Sequence, residues 1–86
     1  MNPMTKENAT QSDLSMARKI SYLLTAHSAL VDLFHAYNDD RGLSLANRFE
    51  DEAHTILRDA GIEDMPTFQL AVVAKEICHS VYQSEL

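Results

Sequence analysis

With 86 residues, 45% hydrophobic and 23% charged, the chain has the size of one small domain and the composition of an ordinary globular protein, which excludes two separate cores, collagen and wholesale disorder. Thirteen Asp and Glu stand against seven Lys and Arg, a formal charge of −6, and that sign argues against direct binding to nucleic acid, where cationic side chains supply most of the affinity for phosphate. The single cysteine, Cys78, rules out an intrachain disulfide and fits a cytoplasmic protein held together by packing.

Residues 1–11 carry almost nothing to bury and read as a flexible polar arm, with no apolar run of the kind a secretory signal needs. A first helix is predicted over 13–38, with Ser12 or Asp13 as its N-cap. Met16, Ile20, Leu23, His27, Leu30, Phe34 and Tyr37 recur along it at alternating spacings of four and three, and Ala17, Leu24 and Val31 broaden that apolar face. The polar run Thr25 to Ser28 is the place where this helix would bend or break. Asn38 to Gly42 is a turn cluster, and Ser44 opens a second helix over 44–60. Ala46, Phe49, Ala53, Ile56, Leu57 and Ala60 mark its inner face, and Gly61 followed by Ile62 is a C-terminal stop with a hydrophobic contact behind it. Pro66 suits the first turn of a third helix over 66–83, whose inner stripe is Leu70, Val73, Ala74, Ile77 and Val81.

The fold class is therefore all-α, a single helical domain over 12–86 in which three helices form a bundle, or four if the first breaks near His27. Short connections favour an up-down-up order. The first helix outreaches the other two, so part of its apolar face lacks intrachain cover. A homodimer through Met16, Ile20, Leu23 and His27 is the expected way to cover it, with His27 a pH-sensitive contact if it lies at that interface. No run reaches the roughly 18 apolar residues of a membrane span, so no membrane partner is expected.

The motifs that hint at chemistry do not withstand a geometric check. Asp51, Glu52, Ala53 and His54 spell the DEAH box of helicases, but no Gly-rich phosphate loop accompanies it and Ala53 belongs to a helical core. The pairs Asp51/His54 and Glu76/His79 have the i, i+3 spacing of di-iron ligand helices. Both fall on expected solvent faces, and the first helix lacks the glutamates such a site also needs, so neither metal nor cofactor is expected. Cys78 and His79 are adjacent and point roughly 100° apart on a helix, too far round to form a thiolate–imidazole pair. A helix-turn-helix built on the second and third helices would present Glu63 and Asp64 to phosphate. No enzyme is expected.

Charge is concentrated instead. From Asp39 to Asp64 eight carboxylates (Asp39, Asp40, Glu50, Asp51, Glu52, Asp59, Glu63, Asp64) face three arginines, enough to steer a basic partner. The expected function is a small non-enzymatic module that binds another protein and inhibits or modulates it, as inhibitors, antitoxins, immunity proteins and anti-defence proteins of similar size and charge do. Leu30, Phe34, Tyr37, Asp39, Asp40, Glu50, Asp51 and Asp59 are the expected contacts. The alternatives are a nucleic-acid mimic acting through the same carboxylates, and a metal- or small-molecule-binding bundle.

Overall fold

The computed structural model describes residues 10–84, folded into three α-helices: α1 (Gln11–Tyr37), α2 (Asp40–Asp59) and α3 (Thr67–Ser84), with no strand among the described residues. The all-α expectation holds. Helix α1 is continuous through Thr25–Ser28, so the described residues contain three helices rather than four. The arm expected over residues 1–11 falls mostly on 1–9, which lie outside the described residues; Gln11 already belongs to α1. The side chain of Val81 lies outside them too.

The helix limits follow from local hydrogen bonding. Thr10, not Ser12 or Asp13, caps α1: its hydroxyl accepts the Asp13 N–H at 3.2 Å while the Asp13 carboxylate accepts the Thr10 N–H at 3.0 Å. This reciprocal box satisfies two donors that a helix start otherwise leaves open. At the other end Asn38 takes the left-handed conformation, φ 54°, which asparagine tolerates better than most residues, and its N–H reaches the Phe34 carbonyl at 2.6 Å. Helix α2 then begins at Asp40, four residues ahead of Ser44, because Asp39 is a competent cap whose carboxylate accepts the Arg41 N–H at 3.0 Å. The C-terminus of α2 is a Schellman turn. Gly61, at φ 73°, donates to the Arg58 carbonyl, and Ile62 donates to that of Leu57 while its side chain packs on the core.

The two glycines thus have opposite roles. Gly42 lies inside α2, where an added Cβ would sit 3.7 Å from the Leu30 carbonyl oxygen, an ordinary contact. Gly42→Ala is expected to raise stability by about 0.5–1 kcal/mol through the lower entropy cost of alanine in a helix. Gly61→Ala meets nothing within 4 Å yet is expected to lower stability by about 1 kcal/mol, because the left-handed φ itself penalises a Cβ. Urea unfolding of both variants beside the parent reads the two signs.

One core joins the helices. Leu14, Ala17, Ile20 and Leu24 of α1 meet Ala53 and Leu57 of α2 and Leu70, Ala74 and Ile77 of α3, all buried. Helix α1 packs against both others, whereas α2 and α3 touch each other little. Small side chains at positions 17, 53 and 74 let the helix axes approach closely. Helix α2 doubles back along α1, with Gly42 at Leu30 and Ala46 at His27. Helix α3 departs from the up-down-up order. The link of residues 60–66 returns along α2 and places Thr67 beside Glu50 and His54, near the level of His27, and α3 descends from there past Leu24 towards Leu14. Both later helices therefore run back along α1. The molecule is a slab of 40 × 31 × 16 Å, and the side of α1 facing away from both neighbours is left open.

Candidate functional site

Where the three helices converge, a chain of polar side chains links them. His54 Nδ1 lies 2.8 Å from Asp64 Oδ1, His54 Nε2 lies 2.8 Å from Thr67 Oγ1, and the Thr67 hydroxyl donates to Glu50 Oε2 at 2.8 Å. Glu50 Oε2 in turn stands 3.8 Å from His27 Nε2, and His27 Nδ1–H donates to the Ala46 carbonyl at 2.8 Å. The donors and acceptors can be counted. A carboxylate only accepts, so Thr67 gives its single proton to Glu50 and must accept from His54; Asp64 likewise needs a proton on the other ring nitrogen. All three bonds are therefore made together when His54 carries both protons. The hydrogen bond from His54 foremost, then the Met65 N–H, holds the Asp64 carboxyl below its ordinary range. At the other end of α2, hydrogen bonds from Arg41 do the same for Asp39.

Asp64, His54 and Thr67 have the connectivity of an acid–base–hydroxyl triad. The Thr67 hydroxyl proton is directed to Glu50 rather than to His54, and the bonds among Asp64, His54 and Thr67 tie the returning link to the start of α3. None of the five side chains lines the hollow bordered by Arg18, Tyr22 and His79 or the one bordered by Ala29, Asp32 and Phe68, both between α1 and α3. His54, expected on a solvent face as the partner of Asp51, is only 16% exposed and turns to Asp64 and Thr67 instead.

The residues expected at a homodimer seam serve the chain itself. Ile20 is fully buried, Met16 and Leu23 pack against the core, and the His27 ring spans from α1 to α2, 18% exposed. Of the expected partner contacts, Leu30 and Phe34 are half-buried and Tyr37 is 77% exposed. Glu50 is drawn inward by Thr67, and Asp39 is occupied by Arg41. Asp40, Asp51 and Asp59 remain exposed, as do Glu52 and Glu63, and none of the five has an ion-pair partner among the described residues. Arg48 and Arg58 share the outward face of α2 with Asp40, Asp51, Glu52 and Asp59, while Glu63 lies on the link that follows, so the surface is less acidic than the linear count implies.

Cys78 is half-buried against the core while Glu76 and His79 are exposed; all three border a hollow with Arg18, Ser21, Tyr22 and Lys75. Among the described residues no group of three or more His, Cys, Asp or Glu is placed to hold a metal ion, and no helix is long and apolar enough to cross a membrane. No protein-family model, curated protein or solved structure matches the chain, so its surfaces are read from their own geometry.

Proposed function

We propose that the chain is a non-enzymatic protein-binding module that inhibits or modulates a larger partner, engaging it through the outward face of α2. The observation that carries this reading is the division of the acidic residues. Asp39, Glu50 and Asp64 serve the fold, whereas Asp40, Asp51, Glu52, Asp59 and Glu63 are exposed and free to meet a partner's cations. Arg48 and Arg58 among them favour a protein surface of mixed charge over a nucleic-acid mimic, which needs an unbroken negative lattice to stand in for phosphates.

The test is a tagged capture from nuclease-treated lysate of the native cell, with the parent chain beside an Asp51→Lys/Asp59→Lys variant. One protein in stoichiometric amount is expected with the parent at low salt, depleted about tenfold or more with the variant, and altered in its own activity when the purified parent chain is added. Equal recovery by both chains, or a captured protein whose activity does not respond, would refute the reading. Release of a nucleic-acid-binding protein by moderate salt would support the mimic instead.

A further inference from the structure

The face of α1 turned away from the core carries Tyr22, Ala26, Ala29, Leu33 and Ala36 at spacings of four, three, four and three, a continuous seam on a helix. Tyr22 is 75% exposed and Leu33 49% exposed. Tyr37 borders the seam on one side. On the other, Phe68 and Val72 of α3 stand beside Ala29 across a groove, with Phe68 83% exposed. Between Lys19 and Tyr37 the only carboxylate is Asp32 and the only histidines are His27, which turns to α2, and His35; Asp32 and His35 sit off this face towards α3. Such a seam is unusual for an exposed side of a helix, where charged residues normally lie.

We infer that this seam is covered by a second copy of the chain, with the two α1 helices antiparallel about a two-fold axis near Ala29. The orientation comes from charge. One end of the seam carries Arg18 and Lys19, the only lysine and arginine of α1, with Lys75 and Glu76 on the adjoining α3 wall, a net positive end; the other has Asp32 beside the groove and Asp39, Asp40 and Arg41 just beyond the helix, a net negative end. An antiparallel copy sets each cationic end against an acidic one, whereas a parallel copy sets like against like. Alanine at 26 and 29 permits close approach of the two helices, at the short end of the usual separation of about 8–10 Å. Three mostly exposed aromatic rings, Tyr22, Tyr37 and Phe68, each of a size that buries about 150–250 Å², supply on the order of half of the roughly 800 Å² that each partner of a stable interface covers. The dimer would leave the outward face of α2 open on both copies, making the module bivalent; the inference does not depend on the identity of any larger partner.

Sedimentation equilibrium of the full chain at micromolar to submillimolar concentration tests it. A mass of twice 9.7 kDa is expected, and Ala29→Arg, which opposes two cations across the axis, should weaken the dimer on the order of 100-fold while leaving helical circular dichroism unchanged. To read the orientation in a Cys78→Ser background, a Tyr22→Cys chain is mixed with an Ala36→Cys chain under mild oxidation. The two should cross-link to each other rather than each to itself. A monomeric mass throughout, a dimer indifferent to Ala29→Arg, or cross-linking of the Tyr22→Cys chain mainly to itself would overturn the inference. If Ala29→Arg loses helix signal, Leu33→Glu takes its place with the same expected outcome.

Discussion

Leu57→Ala should lower the unfolding free energy by about 3 kcal/mol, within the range of about 2–5 for a buried leucine cut back to alanine. Leu57 has no exposed surface and belongs to the cluster shared by all three helices, so its removal leaves a cavity that none of them can close alone. A chain of this size has roughly 4–13 kcal/mol to lose, at about 0.05–0.15 kcal/mol per residue, and the change is a large fraction of it. The melting temperature should fall by roughly 12–24 °C, at about 4–8 °C per kcal/mol for a domain of this length. Leu33→Ala is the matched control: the same atoms are removed from a half-exposed position outside the core, and the expected loss is below about 1 kcal/mol in dilute solution. Urea titrations read both values. If Leu57→Ala were as mild as Leu33→Ala, the three helices would not share one core.

Periodicity and punctuation made the helices legible. The 4-3 spacing from Met16 to Phe34, with Ala17 and Leu24 beside it, marks the face that α1 turns inward, although its last member, Tyr37, stays outside; Gly61–Ile62 marks the stop of α2, and Pro66 marks the entry to α3. Position 42 misled because glycine beside Asn38, Asp39 and Asp40 has turn composition; the Asp39 cap and the space in front of the Leu30 carbonyl let the helix start there instead. The seam from Met16 to His27 pointed towards a second chain because its length exceeded the expected partners. Helix α2, starting earlier than Ser44, supplies part of the missing cover, and the link of residues 60–66 brings α3 to the rest.

Long-range polar contacts were the least legible. His54 reads as a partner for Asp51 when only neighbours on its own helix are considered. Its actual partners are ten and thirteen residues on, and the path of the link decides whether they meet. The same holds for the acidic run, where composition gives the number of carboxylates but not that Glu50 faces inward to Thr67. These internal bonds shape the outer surface. Every carboxylate engaged in such a bond leaves the outward face of α2 closer to balance with its arginines, which favours recognition of a patterned protein surface over general attraction to positive charge.

The link between His54 and Thr67 is the place to measure that internal chemistry. In a double-mutant cycle of His54→Ala and Thr67→Val, each single change is expected to cost about 1–2 kcal/mol and the pair to couple by roughly 1 kcal/mol or more, as members of one hydrogen-bonded network do. Additive losses would mean that the two side chains act separately. Thr67→Val also removes the donor of Glu50, so its cost should exceed that of Thr55→Val, an exposed hydroxyl of α2 whose only side-chain partner among the described residues is Arg58. Asp64 adds a pH dependence of known sign. Its carboxyl is held below the ordinary value of 3.8 in the folded chain, so the stability it contributes is present above that value and is lost as pH falls through the lowered one. Asp64→Asn should therefore be less stable than the parent at neutral pH, with the gap closing in the acid range, and acid titrations of the two chains under constant urea would display it. His54→Ala removes the largest cause of the lowering, so the same chain with Asp64 intact should show a weaker acid dependence, the Met65 N–H holding what remains, which ties the titration to the hydrogen bond rather than to general charge.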